Sequence, residues 1–307
     1  WMEVDTGVTL IFDSASDFVI SRIGTVGGST GGTIIKRGTG TVTQNNGNSS
    51  YFTGNLNIEE GTWSVGVDYG LGNNSTVNVS SGATLNFAGV THNTNHTLVL
   101  NGNLSNTTGD STYAKAITLN ANTSIDVASS TELTLSGVIS GGYSVTKSGA
   151  GTLVMSANNT FTHGLNVDAG TVSVTASQFG LVNNSNFALV IANGATFSAG
   201  GNDIFANNQT QIISTVEIQS GGTMTNGGNF ISRIGNLTLS GGTLTSSGGI
   251  TSNDLSDSVA WTLSETVTAM ADSTISGSAE IFNGHGGNGV SFSVSDGATL
   301  TVSASLI

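Results

Sequence analysis

Carboxylates before glycines are the first residues whose chemistry invites a reading. Glu59 and Glu60 precede Gly61, Asp168 lies two positions before Gly170, and Asp296 adjoins Gly297. Cleavage of polysaccharides needs acids clustered about one bond, often with calcium and a basic residue. These acids are scattered, so each is read as a solvated turn residue. His92 and His96, in "THNTNHT" (91–97), share one face if the stretch is extended. Two imidazoles can begin a metal site, but no third nitrogen or thiolate ligand is evident nearby. A structural zinc ion takes four ligands. The pair is therefore read as part of an exposed polar loop, and His163 and His285 as isolated.

Other candidates are weaker. "GGNDIF" (200–205) and "GHGGNG" (284–289) are similar to calcium-binding nonapeptide repeats, which draw ligands from tandem copies with an Asp in each. Each stands alone, and the second lacks the Asp. No Gly-x-Ser-x-Gly elbow has suitably placed partners, and no glycine-rich loop opens a helix that would cradle phosphate. Trp1, Trp63, Trp261 and the four tyrosines would stack on sugars if they faced outward. Trp63, at an apolar position of "TWSV" (62–65), is read as core. No catalytic, cofactor-binding or metal site is assigned, and no enzyme activity is expected.

Composition sets what must position such residues. The chain has 307 residues, of which only 8% are charged and 44 are glycine, with no proline and no cysteine. A proline-free chain keeps every backbone donor for a hydrogen-bonded ladder. Without cysteine, there are no disulfides or thiolate metal sites. A net charge of −13 opposes nucleic acid and anionic membrane surfaces. The longest apolar run, 187–192, is far short of a membrane span. No basic start opens the chain, which is read as a mature or excised segment.

One phrase organises the rest. A small corner, a glycine and an alternating strand recur in "EEGTWSV" (59–65), "SSGATLNF" (80–87), "DAGTVSV" (168–174), "NGATFSA" (193–199), "SGGTMT" (220–225), "SGGTLT" (240–245) and "DGATLTV" (296–302). Corner glycines recur roughly every 19 to 27 residues, the mark of a solenoid. Between corners, "TLVL" (97–100), "ITLNANTSIDV" (117–127), "ELTL" (132–135) and "VEI" (216–218) alternate with period two. This predicts an all-β fold, a parallel β-helix of roughly fourteen coils, each rising about 4.8 Å, hence a rod of about 65 to 70 Å. A lone coil cannot offset its own ordering cost, so stacking must supply the stability. Asn45-Asn46, Asn73-Asn74, Asn158-Asn159, Asn183-Asn184 and Asn207-Asn208 are read as corners able to stack in ladders. "FVISRIG" (18–24) and "NFISRIG" (229–235) echo each other, with Arg22 and Arg233 expected to point outward.

"KSGAGTLVMSANNTFTHGLNVDAGTVSV" (147–174) resembles the autotransporter-associated β-strand repeat of bacterial autotransporter passenger domains. The matching residues are Lys147, Gly149, Gly151, Thr152, Leu153, Asn159, Thr160, Phe161, Thr162, Gly164, Val167, Ala169, Gly170, Thr171 and Val174. Residues 36–65 form a looser copy with two extra residues before Phe52. The resemblance implies a right-handed parallel β-helix exported to the cell surface. Residues 1–307 are then expected to form a single β-solenoid domain cut from a longer repetitive protein. Its expected work is mechanical: a rigid extracellular stalk, an adhesin or a matrix element as in a biofilm. Expected partners are other copies of itself, through coil ends or faces, and surface glycans. The alternatives are a subunit of a filament stacked end to end, and a carbohydrate-active enzyme, since β-helices also host lyases and hydrolases.

Overall fold

The computed structural model describes the chain apart from residues 1, 22, 25–30, 46–51, 74, 177–186, 201–203, 206–212, 228–231, 247–260, 282–288, 304 and 307. The described residues contain strands and turns and no helix. The chain divides into two compact units, Trp1–Tyr143 with Gly151–Leu153, and Ser144–Ala150 with Val154–Ile307.

In the first unit, successive strands go to different sheets, and each pairs in parallel with the strand one coil later. One sheet stacks Thr9–Asp13, Thr33–Arg37, Asn55–Ile58, Ser75–Val79, His96–Leu100, Ile117–Leu119 and Ile139–Gly141. A second stacks Phe18–Ile20, Thr41–Gln44, Thr62–Val65, Thr84–Ala88, Asn103–Thr108 and Thr123–Val127. A third contains Thr91–His92, Ser111–Tyr113 and Glu132–Leu135. Period-two alternation turns one side chain in two inward, and register keeps like above like. Ile34, Leu56, Val77, Leu98, Ile117 and Ile139 thus form one buried column.

The second unit repeats the scheme. Val145–Ser148, Leu165–Val167, Ala188–Ile191, Ile213–Gln219 and Ser232–Ser240 stack in one sheet. Both Trp261–Leu263 and Thr266–Ala271 pair with Ser232–Ser240. Another sheet stacks Thr171–Val174, Thr196–Ala199, Thr223–Asn226, Thr243–Ser246, Ser273–Ser276 and Leu300–Val302. The fold is a parallel β-solenoid.

Two details depart from the sequence reading. The repeat is not fixed: Leu98 pairs with Ile117, nineteen residues on, whereas Leu237 pairs with Val267, thirty residues on. Inter-coil bonding fixes strand register, while corners run over the surface and absorb insertions. The alternating run at 117–127 is two strands on different sheets, Ile117–Leu119 and Thr123–Val127, with a bend between them. Alternation survives the corner because interior residues still follow one another in step.

The tight turns follow from local chemistry. Ala83 N–H donates to Ser80 O at 3.0 Å, and Ala195 N–H to Ala192 O at 3.1 Å, around the left-handed Gly82 and Gly194. Of the asparagine doublets, Asn159 is buried and its amide donates to Ala157 O at 3.0 Å. Asn46, Asn74, Asn183, Asn184, Asn207 and Asn208 lie outside the described residues. A ladder bond does join Asn78 to Asn57 at 2.9 Å, but from strands and not from a doublet. Arg233 is 8% exposed, so the expectation of an exposed outward arginine is corrected, while Arg22 lies outside the described residues.

Candidate functional site

The lysine of the repeated phrase is structural, and it is buried. Lys147 is 0% exposed, and its Nζ donates to Ser148 O and Gly149 O, each at 2.7 Å, and to Ala169 O on the next coil at 3.1 Å. Lys36, also 0% exposed, does the same with Arg37 O at 2.7 Å, Gly38 O, and Glu60 O at 3.2 Å. A buried ammonium needs its three donors met, and three corner carbonyls meet them. Burial still holds the Lys36 ammonium below the usual lysine range, opposed by Glu60, Asp13 and Asp17. Gly149 turns left-handed at φ +73°, and a Cβ on Gly151 would collide with Ala128 O. Lysine and both glycines of the phrase are therefore consequences of one corner.

A second polar group lies inside the first unit. His92 ends the strand Thr91–His92, His96 begins His96–Leu100, and Tyr113 ends Ser111–Tyr113, where it pairs in register with His92. His92 and Tyr113 are 0% exposed and His96 is 7% exposed, which corrects the expectation of an exposed loop. The corner between the two histidines turns both rings inward from different sheets. Their centroids are 6.3 Å apart and edge-on, and the His96 and Tyr113 centroids are 5.3 Å apart. Phe87 closes one side, 5.6 Å from His92 and 5.5 Å from Tyr113. Both His92 ring nitrogens, His96 Nε2 and the Tyr113 hydroxyl hydrogen-bond to no other group of the protein. His96 Nδ1 meets Thr94 Oγ1 at 3.4 Å.

Burial dominates the electrostatics of this cluster. It lowers His92 to about 3, helped by His96. It lowers His96 to about 4, opposed by a backbone hydrogen bond with Thr94 and helped by Lys115. Burial pushes the Tyr113 phenol up. All three groups are neutral at neutral pH.

The acids have a use that their scatter hides. Asp17 Oδ1 accepts from Thr41 N–H at 2.6 Å, Asp68 from Thr91 at 2.6 Å, Asp110 from Glu132 at 2.9 Å and Asp272 from Thr299 at 2.8 Å. Each carboxylate caps a backbone donor one coil later. An Asp 22 to 27 residues before a residue that opens or just precedes a strand was the signal to look for. Glu59, Glu60, Asp168 and Asp296 do not come together; Glu59 pairs with Arg37 at 2.7 Å in an exposed ion pair. Asp296 lines a shallow groove with Ser220, Met270 and Asp272, whose carboxylate is already engaged.

The remaining candidates fall elsewhere. Trp63 is buried, as read, and so is Trp261, whose Nε1 donates to Thr245 O at 2.6 Å. Tyr69 and Tyr143 are exposed, and Trp1 and Tyr51 lie outside the described residues. His163 is an exposed residue beside Thr162. His285, residues 201–203 of "GGNDIF" and residues 284–288 of "GHGGNG" lie outside the described residues. Outward positions of the second unit form two columns in register: Thr171, Thr196, Thr223, Thr243, Thr274 and Thr301, beside Ser173, Ser198, Thr225, Thr245 and Ser276.

The corner built on Lys147 lies inside the stretch that decides the relationship: residues 145–174 match the family model of the passenger-associated-transport-repeat. Residues 145–174 are thus similar to a passenger-associated transport repeat. Comparison with curated proteins and with solved structures finds no match. The repeat and the parallel β-solenoid around it together support an autotransporter passenger, and the repeat family implies secretion to the cell surface. Lys36 lies outside the matched residues yet builds the same corner.

Proposed function

We propose that this chain is a non-catalytic, surface-displayed β-solenoid that acts as a stalk, adhesin or matrix element. The observation that carries the reading is a passenger repeat set in a parallel solenoid whose outward positions are columns of threonine and serine. Rows of hydroxyls offer many weak, repeated hydrogen bonds, which suits glycans or the face of another copy better than a small substrate. Winding is taken as right-handed, following the repeat and the general crossover preference. The single solenoid domain expected over residues 1–307 belongs to the same reading.

The test is display and contact. Antibodies raised against the segment should label intact cells that produce it, and added protease should remove the label. The purified segment should bind immobilised polysaccharides or itself with an affinity that falls when Thr223 and Thr243 are replaced by Lys. Labelling only after cell lysis would overturn the surface reading. Turnover of a polysaccharide by the purified segment would overturn the non-catalytic one.

A further inference from the structure

Leu135 follows Tyr113 in its column and Leu98 follows His96 on its strand, while buried Ser75, the register partner of His96, is already engaged with Leu71 O. Three polar rings in such a place leave four buried polar atoms unanswered by the protein. Leaving even one unanswered is costly, so the grouping calls for an occupant that all three can share. Among the described residues, no group of three His, Cys, Asp or Glu could hold a metal. A two-coordinate site needs only two donors, and the imidazoles of His92 and His96 supply them.

We propose that His92 and His96, with the Tyr113 ring packed beside His96, bind one monovalent copper ion. Imidazole is a good ligand for copper. Two metal–nitrogen bonds of about 2 Å added to two ring radii of about 1 Å span about 6 Å. Were one metal ion to join both rings, the observed 6.3 Å between ring centroids would require a near-linear nitrogen–metal–nitrogen arrangement. Near-linear, two-coordinate binding is the habit of a filled-shell monovalent ion, not of tetrahedral zinc. Charge points the same way. The site has no carboxylate ligand, and Lys115 acts on His96, so a divalent ion would be buried without compensation.

The experiment is an anaerobic titration of the full chain with Cu(I) against a chromophoric competitor, with a parallel Zn(II) titration. The expected result is one equivalent of Cu(I), an X-ray absorption spectrum with nitrogen and no sulfur neighbours, and zinc bound at least a hundredfold more weakly. His92→Leu with His96→Leu should abolish uptake while the circular dichroism of the fold is retained; His163 and His285 remain in that variant as internal controls. Should it fail to fold, Tyr113→Phe serves, with Cu(I) affinity lowered about tenfold. No uptake, uptake unchanged in the double variant, zinc bound as tightly as copper, or a crystal structure showing only an ordered water between the rings would each overturn the proposal.

Discussion

The ammonium of Lys147 donates to the carbonyl of Ala169 at 3.1 Å, tying one coil to the next from inside a corner. Lys147→Met removes the donor and leaves three corner carbonyls without it. The expected loss is about 3 kcal/mol, from charge-assisted bonds and stranded acceptors. It is read as a lower urea midpoint. Lys147→Arg should not rescue, because a planar guanidinium does not fit a site shaped for three converging bonds.

Asp68 supplies a smaller inter-coil bond of the same kind, to Thr91 N–H. Asp68→Ala is expected to cost about 1 to 2 kcal/mol, and Asp68→Asn, which keeps an acceptor oxygen, distinctly less. Thermal midpoints of the two variants check the order.

Glycines divide by mechanism. A Cβ on Gly82 meets nothing within 4 Å, but the residue sits at φ +80°, so Gly82→Ala should cost only the left-handed penalty of about 1 kcal/mol. Gly151→Ala drives a methyl into the backbone of Ala128 and should cost severalfold more. Hydrogen exchange at residues 128–135 should accelerate in Gly151→Ala, and exchange around Gly82→Ala should change little.

Acid should destabilise the first unit in a defined window. The ordinary histidine value is 6.5, and the folded values are about 3 for His92 and about 4 for His96. Folding therefore holds fewer protons than the unfolded chain between these limits, so stability is full above pH 6.5 and falls as pH falls toward 4. Each imidazole contributes up to about 1.4 kcal/mol per pH unit. Urea midpoints measured with chelator present should fall from pH 6.5 to 4.5. His92→Leu with His96→Leu should flatten that slope, and the fall should remain in His163→Leu.

Much of the fold was legible in the residues. Gly61, Gly82, Gly170, Gly194, Gly221 and Gly297 announce left-handed corners before alternating strands, because only glycine takes that conformation without strain. Trp63 was legible as core from its place in "TWSV". The cluster was not. His92 and His96 sit in a polar stretch, and polarity along the chain points outward unless a corner intervenes. Tyr113 lies a full coil away, joined to His92 only by register. Asp68 and Thr91 were hidden by the same separation.

Composition, period-two alternation and glycine placement thus determined that this chain folds as a stacked parallel solenoid, since those signals act through local backbone preference and the burial of every second side chain. Which residues meet across coils was decided by the tertiary structure alone. Corners of unequal length set the register, and register brings Lys147 to Ala169, Asp68 to Thr91 and Tyr113 to His92.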